Sequence, residues 1–154
     1  MLTLALAVLV QITPPGEEAV APYAQADANA GATPFAGEDM WRAFHGSEGV
    51  ARIVDAFVAR NQADPRIGDI FKGQDLVRLR RTLGEQFCYL LGGGLHYSGR
   101  TMRDAHKDMG IQQADMAALV ENLQWAMRRE RVAFAAQNRL LAKLAPMHRD
   151  VVQR

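Results

Sequence analysis

Apolar residues recur along most of this chain every three or four positions, which is the spacing of one helix face. The pattern predicts helices over residues 38–44, 47–62, 65–71, 76–91, 101–108, 112–130 and 133–152. The breaks between them coincide with Asp64-Pro65, Gly73, the glycines 92–94 and Gly110, which stop or weaken helices. We therefore predict an all-α fold, with Pro146 interrupting its last helix.

Two polar residues stand where a helix N-cap is expected, directly before an apolar stripe. Ser47 precedes the stripe that begins at Val50, and Asp75 precedes the stripe that begins at Leu76. Each side chain is suited to accept a hydrogen bond from a backbone N–H in the first turn. We predict that these two residues begin their helices.

The first 36 residues differ from the rest of the chain. Residues 1–12 form an apolar run that is too short for a membrane span but suits the core of a secretory signal. A positive leader is missing, since the first Lys or Arg is Arg42. The protein is thus expected to be either exported or cytoplasmic. Residues 13–36, rich in Pro, Ala and Gly, predict a flexible linker before a folded domain over residues 37–154.

Composition narrows the function classes only slightly. The 154 residues carry 18 basic and 17 acidic side chains, which argues against a nucleic-acid-binding surface. The arginine-rich runs 78–81 and 128–131 are short enough to be solvated helix faces. The one cysteine, Cys88, lies in an apolar run and is expected to be a small buried hydrophobe.

Histidine supplies the candidate chemistry. His45, His96 and His148 stand at a helix boundary, in a loop and near the C-terminus. His106 lies on a short predicted helix, one turn after Met102, so the two share a face. A lone helical histidine is usually an ordinary core or surface residue, and no second ligand stands at zinc spacing. One histidine suffices as a metal ligand where a porphyrin supplies the in-plane nitrogens.

Four segments resemble the group I truncated haemoglobins. Residues 97–111, Tyr-Ser-Gly-Arg-Thr-Met-Arg-Asp-Ala-His-Lys-Asp-Met-Gly-Ile, are similar to the proximal segment of that family. Residues 53–71, 79–93 and 144–152 match its second helix and following corner, its distal helix and its last helix, in order and spacing. The resemblance covers about residues 38–154. It implies an all-α truncated-globin fold, a two-over-two helical sandwich around haem b (iron protoporphyrin IX).

The resemblance also implies a set of haem-binding residues. His106 would be the proximal iron ligand, and Phe71 would pack on the porphyrin face. The proximal side would be lined by Met102, Ile111 and Met116. Tyr97 and Arg100 would reach the haem propionates, with Arg80 or Arg81 as further candidates from the distal helix.

The distal side departs from the family pattern. Val58 stands where many members carry a tyrosine, and Leu83 stands where glutamine is common. The sequence therefore predicts a largely dry distal pocket, lined by Phe57, Val58, Leu79, Leu83 and Phe87. Thr82 and Gln86 are the nearest polar residues, and spacing leaves their direction open. We expect weak oxygen retention with good binding of nitric oxide or carbon monoxide, because a distal donor stabilises bound oxygen.

Three functions remain open at this point. The first is a haem protein that reversibly binds a diatomic gas (O2, NO or CO) at a pentacoordinate iron. The second is an enzyme of the same fold, a nitric oxide dioxygenase, which needs a reductase as partner. The third is a helical interaction module that has lost haem. We expect no nucleic-acid partner, no stable membrane span, and a monomer or weak dimer.

Overall fold

The computed structural model describes residues 11–153, and the regular structure within them is helical throughout. The α-helices are α1 (Asp39–Ala43), α2 (Gly46–Ala63), α3 (Leu76–Leu90), α4 (Met102–His106), α5 (Gln113–Arg129), α6 (Phe134–Leu144) and α7 (His148–Val151). Short 3-10 turns occupy Asp27–Ala30, Gly68–Phe71 and Ala145–Met147. The predicted all-α class is therefore confirmed. Most of the apolar run at residues 1–12 lies outside the described residues.

The two predicted N-caps have different outcomes. Asp75 caps α3, since its carboxylate accepts a hydrogen bond from the Arg78 backbone N–H at 2.9 Å. The prediction for Ser47 is wrong, because α2 already begins at Gly46 with His45 as its N-cap. His45 and Gly46 both adopt left-handed backbone angles, with φ of 62° and 67°. This sharp turn places the N-cap of α2 two residues earlier than the sequence suggests.

The two prolines that were expected to shape helices act as turn residues. Pro146 lies in the 3-10 turn that separates α6 from α7, so the predicted interruption is confirmed. Pro65 does not start a helix; the turn that leads to Phe71 begins at Gly68. The cause is Asp64, whose side chain accepts from the Arg66 N–H and whose carbonyl accepts from Gly68. These bonds hold residues 64–67 in a tight turn.

Buried apolar side chains form two clusters. Helix α2 packs against α3 and α5, and the larger cluster lies between these helices. Its buried members include Val54, Val58, Phe87, Leu91 and Leu123. The second cluster lies around α4 and α7 and includes Leu90, Tyr97, Met102, Ile111 and Met147. Leu144 packs against both clusters and so connects them.

Residues 13–36, which were expected to be a flexible linker, make defined contacts with the helices. The Phe35 N–H donates to the Leu90 carbonyl at 2.8 Å, and Lys143 donates to the Thr33 carbonyl at 2.6 Å. Ala30 is fully buried in the second cluster. Because most of these contacts are polar or use the backbone, they leave no apolar periodicity in the sequence.

Within residues 11–153, none of the helices combines the length and apolar character that crossing a bilayer requires.

A charged network joins the end of α2 to α5. The Asp64 carboxylate accepts hydrogen bonds from the Arg66 guanidinium at 2.8 and 3.0 Å and from the Asn122 amide at 3.0 Å. These donors, Arg66 first, hold the pKa of Asp64 well below its usual value of 3.8. A depressed pKa in the folded state stabilises the fold above pH 4, and this stabilisation is lost as the carboxylate is protonated in acid.

This network gives a prediction for stability in acid. We expect Asp64→Asn to lower the free energy of unfolding at pH 7 but to make it less sensitive to acid. Urea titrations at pH 7 and pH 3 would measure both effects. Asp55→Asn is the control, because Asp55 is exposed and its pair with Arg80 is long, at 3.4 Å. Equal acid sensitivity in the wild type and Asp64→Asn would contradict the assignment.

Candidate functional site

The imidazole of His106 is held in one orientation and one tautomer. Its Nδ1 lies 2.7 Å from the carbonyl oxygen of Met102, at the other end of α4. A carbonyl can only accept, so Nδ1 carries the proton and donates. Nε2 is left with its lone pair. The same arrangement, a ring N–H bonded to a backbone carbonyl, fixes the tautomer of histidines that bind metals.

The environment of His106 also keeps the ring neutral. Burial lowers its pKa below the usual value, and this outweighs the bond to the Met102 carbonyl, which acts in the opposite direction. A neutral imidazole is the form that binds a metal ion. The side chain is half-buried, so its ring is not sealed within the protein core.

Helix α4 is capped locally at its start and held at its end by a distant residue. At the start, the Thr101 hydroxyl accepts from the Asp104 N–H at 3.2 Å. At the end, the Gln153 side chain donates to the His106 carbonyl at 3.1 Å. The Gln153 N–H also donates to the Ile111 carbonyl at 2.8 Å. The chain terminus therefore holds the residues that flank His106.

The residues predicted for the proximal side lie together. Met102 and Ile111 are buried in the second cluster, and Met116 packs against it. Two of the residues predicted to reach propionates are engaged within the chain. The Tyr97 hydroxyl donates to the Arg100 carbonyl at 2.9 Å, and burial raises the pKa of Tyr97 to about 12. The Arg100 guanidinium stacks over the Tyr23 ring at 5.4 Å.

The residues predicted for the distal side lie in the other cluster. Phe57 and Val58 are buried there, and Leu79 and Leu83 pack against it while remaining partly exposed. Phe71 is half-buried at the end of the 3-10 turn that packs against α2. The structure thus assigns the predicted distal and proximal residues to opposite clusters.

Thr82 and Gln86, the two polar residues of α3 nearest the predicted distal side, donate to backbone carbonyls. The Thr82 hydroxyl donates to the Arg78 carbonyl of its own helix at 2.9 Å. The buried Gln86 amide donates to the Ala30 carbonyl at 2.9 Å, and its nitrogen lies 3.4 Å from the Met102 sulfur. Sequence spacing does not say where Thr82 and Gln86 point, and the structure shows that both donate to backbone carbonyls. Sequence reasoning missed the partner of Gln86 because it lies in the N-terminal segment.

Comparison with known proteins identifies the family. Residues 39–153 match the family model described as bacterial-like globin. The chain belongs to this family. A group 1 truncated haemoglobin of Tetrahymena pyriformis is 26% identical to this globin over 115 residues, which are 75% of this chain and 95% of that protein. A group 1 truncated haemoglobin of Tetrahymena thermophila is 32% identical over 78 residues, or 51% and 64% of the two chains.

Solved structures give the same result for the fold. The Fe(III) form of the Tetrahymena pyriformis truncated haemoglobin matches this globin with a TM-score of 0.71 at 26% identity, covering 75% of this chain and 98% of that one. The 2/2 haemoglobin of Synechococcus matches with a TM-score of 0.69 at 23% identity over the same shares, which supports the fold alone. The predicted two-over-two helical sandwich is confirmed.

A buried carboxylate forms ion pairs with two arginines of α3 in this globin. The Glu17 side chain is only 1% exposed and pairs with Arg81, and it lies 3.3 Å from Arg78. Arg81 also donates to Glu85 at 2.9 Å and to the Ser98 hydroxyl at 2.6 Å. The hydrogen bond from Arg81 lowers the pKa of Glu17. Arg80, the second candidate for propionate binding on α3, lies 3.4 Å from the Asp55 carboxylate.

Two further features lie apart from His106 and its neighbours. Cys88 is buried in the core, as predicted, and this burial raises the pKa of its thiol to about 11 and makes it a poor nucleophile. A shallow cavity lies between α2 and α5, and none of the predicted site residues line it. Its walls are Arg52, Asp55, Ala56, Ala126, Arg129 and Glu130.

Proposed function

We propose that this globin binds haem b through Nε2 of His106 and reversibly binds a diatomic gas at the open position of the iron. The observation that carries the proposal is the hydrogen bond from Nδ1 to the Met102 carbonyl at 2.7 Å. It leaves Nε2 unprotonated on a ring that burial keeps neutral. Membership of the bacterial-like globin family supports the same conclusion.

The apolar side chains around the site fit a porphyrin. Leu79, Leu83 and Leu119 pack against the first cluster and Met116 packs against the second, yet all four remain partly exposed. Apolar surface that the protein leaves uncovered is stabilised when a flat apolar group covers it, at about 25 cal/mol per Å². We infer that these residues hold the two faces of the porphyrin, with His106 on the proximal side.

The distal side of this globin offers a bound gas little hydrogen bonding. Haem iron, when bound, supplies reversible affinity for oxygen, nitric oxide and carbon monoxide. We infer that Phe57, Val58, Leu79 and Leu83 surround that position, because they pack in the same cluster and carry no donor. The donors of Thr82 and Gln86 are already used elsewhere. We therefore propose weak retention of oxygen and stronger retention of the other two gases.

Haemin titration of the purified protein tests the proposal. We expect one haemin per chain, a sharp Soret band, and a further shift of that band when the reduced protein meets carbon monoxide. Stopped-flow mixing should then show rapid oxygen release, because the side chains proposed to surround the gas carry no donor to slow it. A protein that stays colourless with haemin would refute haem binding, and slow oxygen release would refute the dry distal side.

An enzyme of the same fold is distinguished by turnover. Conversion of nitric oxide and oxygen to nitrate over many cycles, with a chemical reductant in place of a reductase to return the iron to its ferrous state, would mark this globin as a dioxygenase rather than a reversible binder. A single round of binding without continued nitrate formation supports the proposal made above.

A further inference from the structure

Three side chains of the N-terminal segment bind the loop that leads into α4. The Tyr23 hydroxyl donates to the Ser98 carbonyl at 2.6 Å. The Asp27 carboxylate accepts from the Tyr97 N–H at 2.9 Å, and the Asn29 amide donates to the Gly99 carbonyl at 3.3 Å. The backbone of three successive loop residues is thus held by one short stretch, residues 23–29.

The helix that follows this loop has little stability of its own. Helix α4 has five residues, about one turn, and an isolated helix of that length does not form in water. Its position must therefore come from the rest of the chain: from the packing of Met102 in the second cluster and from what holds its two ends. Gln153 holds the end that carries His106. The loop held by Tyr23, Asp27 and Asn29 precedes the other end.

The N-terminal segment is itself anchored firmly enough to act as a support. Ala30 is fully buried in the second cluster, and its carbonyl accepts from Gln86 of α3. A Cβ on Gly31 would lie 3.0 Å from the Met147 side chain, so this part of the chain sits closely against the turn before α7. At its other end, Glu17 pairs with Arg81. Both sides of residues 23–29 are therefore fixed to the helices.

We propose that Tyr23, Asp27 and Asn29 are positioning residues for His106. They hold the loop backbone at residues 97–99, and the loop fixes the start of α4 and hence the direction of the imidazole. The role rests on the proposed function, since it concerns the iron ligand. It goes beyond the family likeness, because the family model begins at residue 39 and these three residues precede it.

Amide hydrogen exchange of the full chain tests the loop contacts without haem. We expect the triple variant Tyr23→Phe, Asp27→Ala, Asn29→Ala to lose about tenfold protection over residues 97–106, which is the effect of about one net hydrogen bond. Tyr23→Phe alone should give a smaller loss, since it removes one hydroxyl and keeps the ring that stacks on Arg100. Gln25→Ala is the control, as this exposed residue lies between the contacts.

The consequence for the iron ligand is measured on haem-loaded protein. We expect the triple variant to lose haemin to an excess of another apo-globin roughly tenfold faster than wild type. Its iron–histidine stretching band in resonance Raman spectra should also shift or broaden. A merely structural role would lower the melting temperature and leave that band unchanged. The control Gln25→Ala should also leave the band unchanged.

The outcomes separate this inference from the proposed function. Unchanged exchange over residues 97–106 in the triple variant overturns the inference, whether or not haemin binds. Faster exchange with an unchanged iron–histidine band overturns the positioning role. Failure of the wild type to bind haemin refutes the proposed function and with it any role toward iron. Faster exchange together with a shifted band supports the proposal.

Discussion

His106→Ala is expected to abolish the histidine-ligated haem spectrum of this globin. The variant removes the imidazole that we propose as the iron ligand, whose Nδ1 bonds to the Met102 carbonyl. Loss of a residue that merely orients a metal ligand typically costs tenfold to a hundredfold in affinity. Loss of the ligand itself should therefore weaken haemin binding by roughly a hundredfold or more. Absorbance titration with haemin measures the affinity, and the Soret band reports the ligand.

The fold should survive this substitution. His106 is half-buried at the end of α4. The bonds that hold this helix do not use the imidazole: Thr101 accepts from the Asp104 N–H, and Gln153 donates to the backbone carbonyl of residue 106. Far-UV circular dichroism should match the wild type. Added imidazole should restore much of the Soret band by filling the vacated position.

His148→Ala is the matched control for this experiment. The ring of His148 lies on α7 and bonds to the Gln113 side chain at 2.6 Å, and neither residue is a predicted haem contact. Its substitution should leave haemin affinity and the Soret band unchanged. An unaltered spectrum in His106→Ala would contradict the proposed ligand, and a loss in both variants would indicate general destabilisation.

The sequence alone predicts the elements whose signals are local. Asp75 caps its helix because both the cap and the N–H it binds lie within four residues. The stripe at Val54 and Val58 follows from helix periodicity and is buried as predicted. Pro146 interrupts its helix because a proline inside a helix lacks the backbone donor and clashes with the preceding turn. These features need no knowledge of distant parts of the chain.

Features set by distant contacts could not be predicted in this way. His45 rather than Ser47 begins α2, and its ring bonds to Glu130, which is 85 positions away. Gln86 bonds to Ala30 in a segment whose composition is typical of a linker. Glu17, in the same segment, is buried against Arg81. Sequence spacing carries no information on such pairs, since each partner belongs to a different element.

Leu83→Gln is expected to slow oxygen release from this globin about tenfold to a hundredfold, because one donor to a charged acceptor is worth about 1.5–3 kcal/mol. Leu83 is only partly buried on α3, so the longer polar side chain can be accommodated. Val58 is a poorer site for the same test. It is fully buried, and a tyrosine there would overpack the core.

Stopped-flow measurement of gas release distinguishes a new hydrogen bond from a change in packing. Leu83→Met keeps the volume and adds no donor, so oxygen release should stay near the wild-type rate. Carbon monoxide release should change less than oxygen release in Leu83→Gln, because this gas carries less negative charge when bound. Equal slowing of oxygen in the Met and Gln variants would show that shape, not hydrogen bonding, controls release. An unchanged rate in Leu83→Gln would show that residue 83 does not face the bound gas, and the distal assignment of α3 would then be wrong.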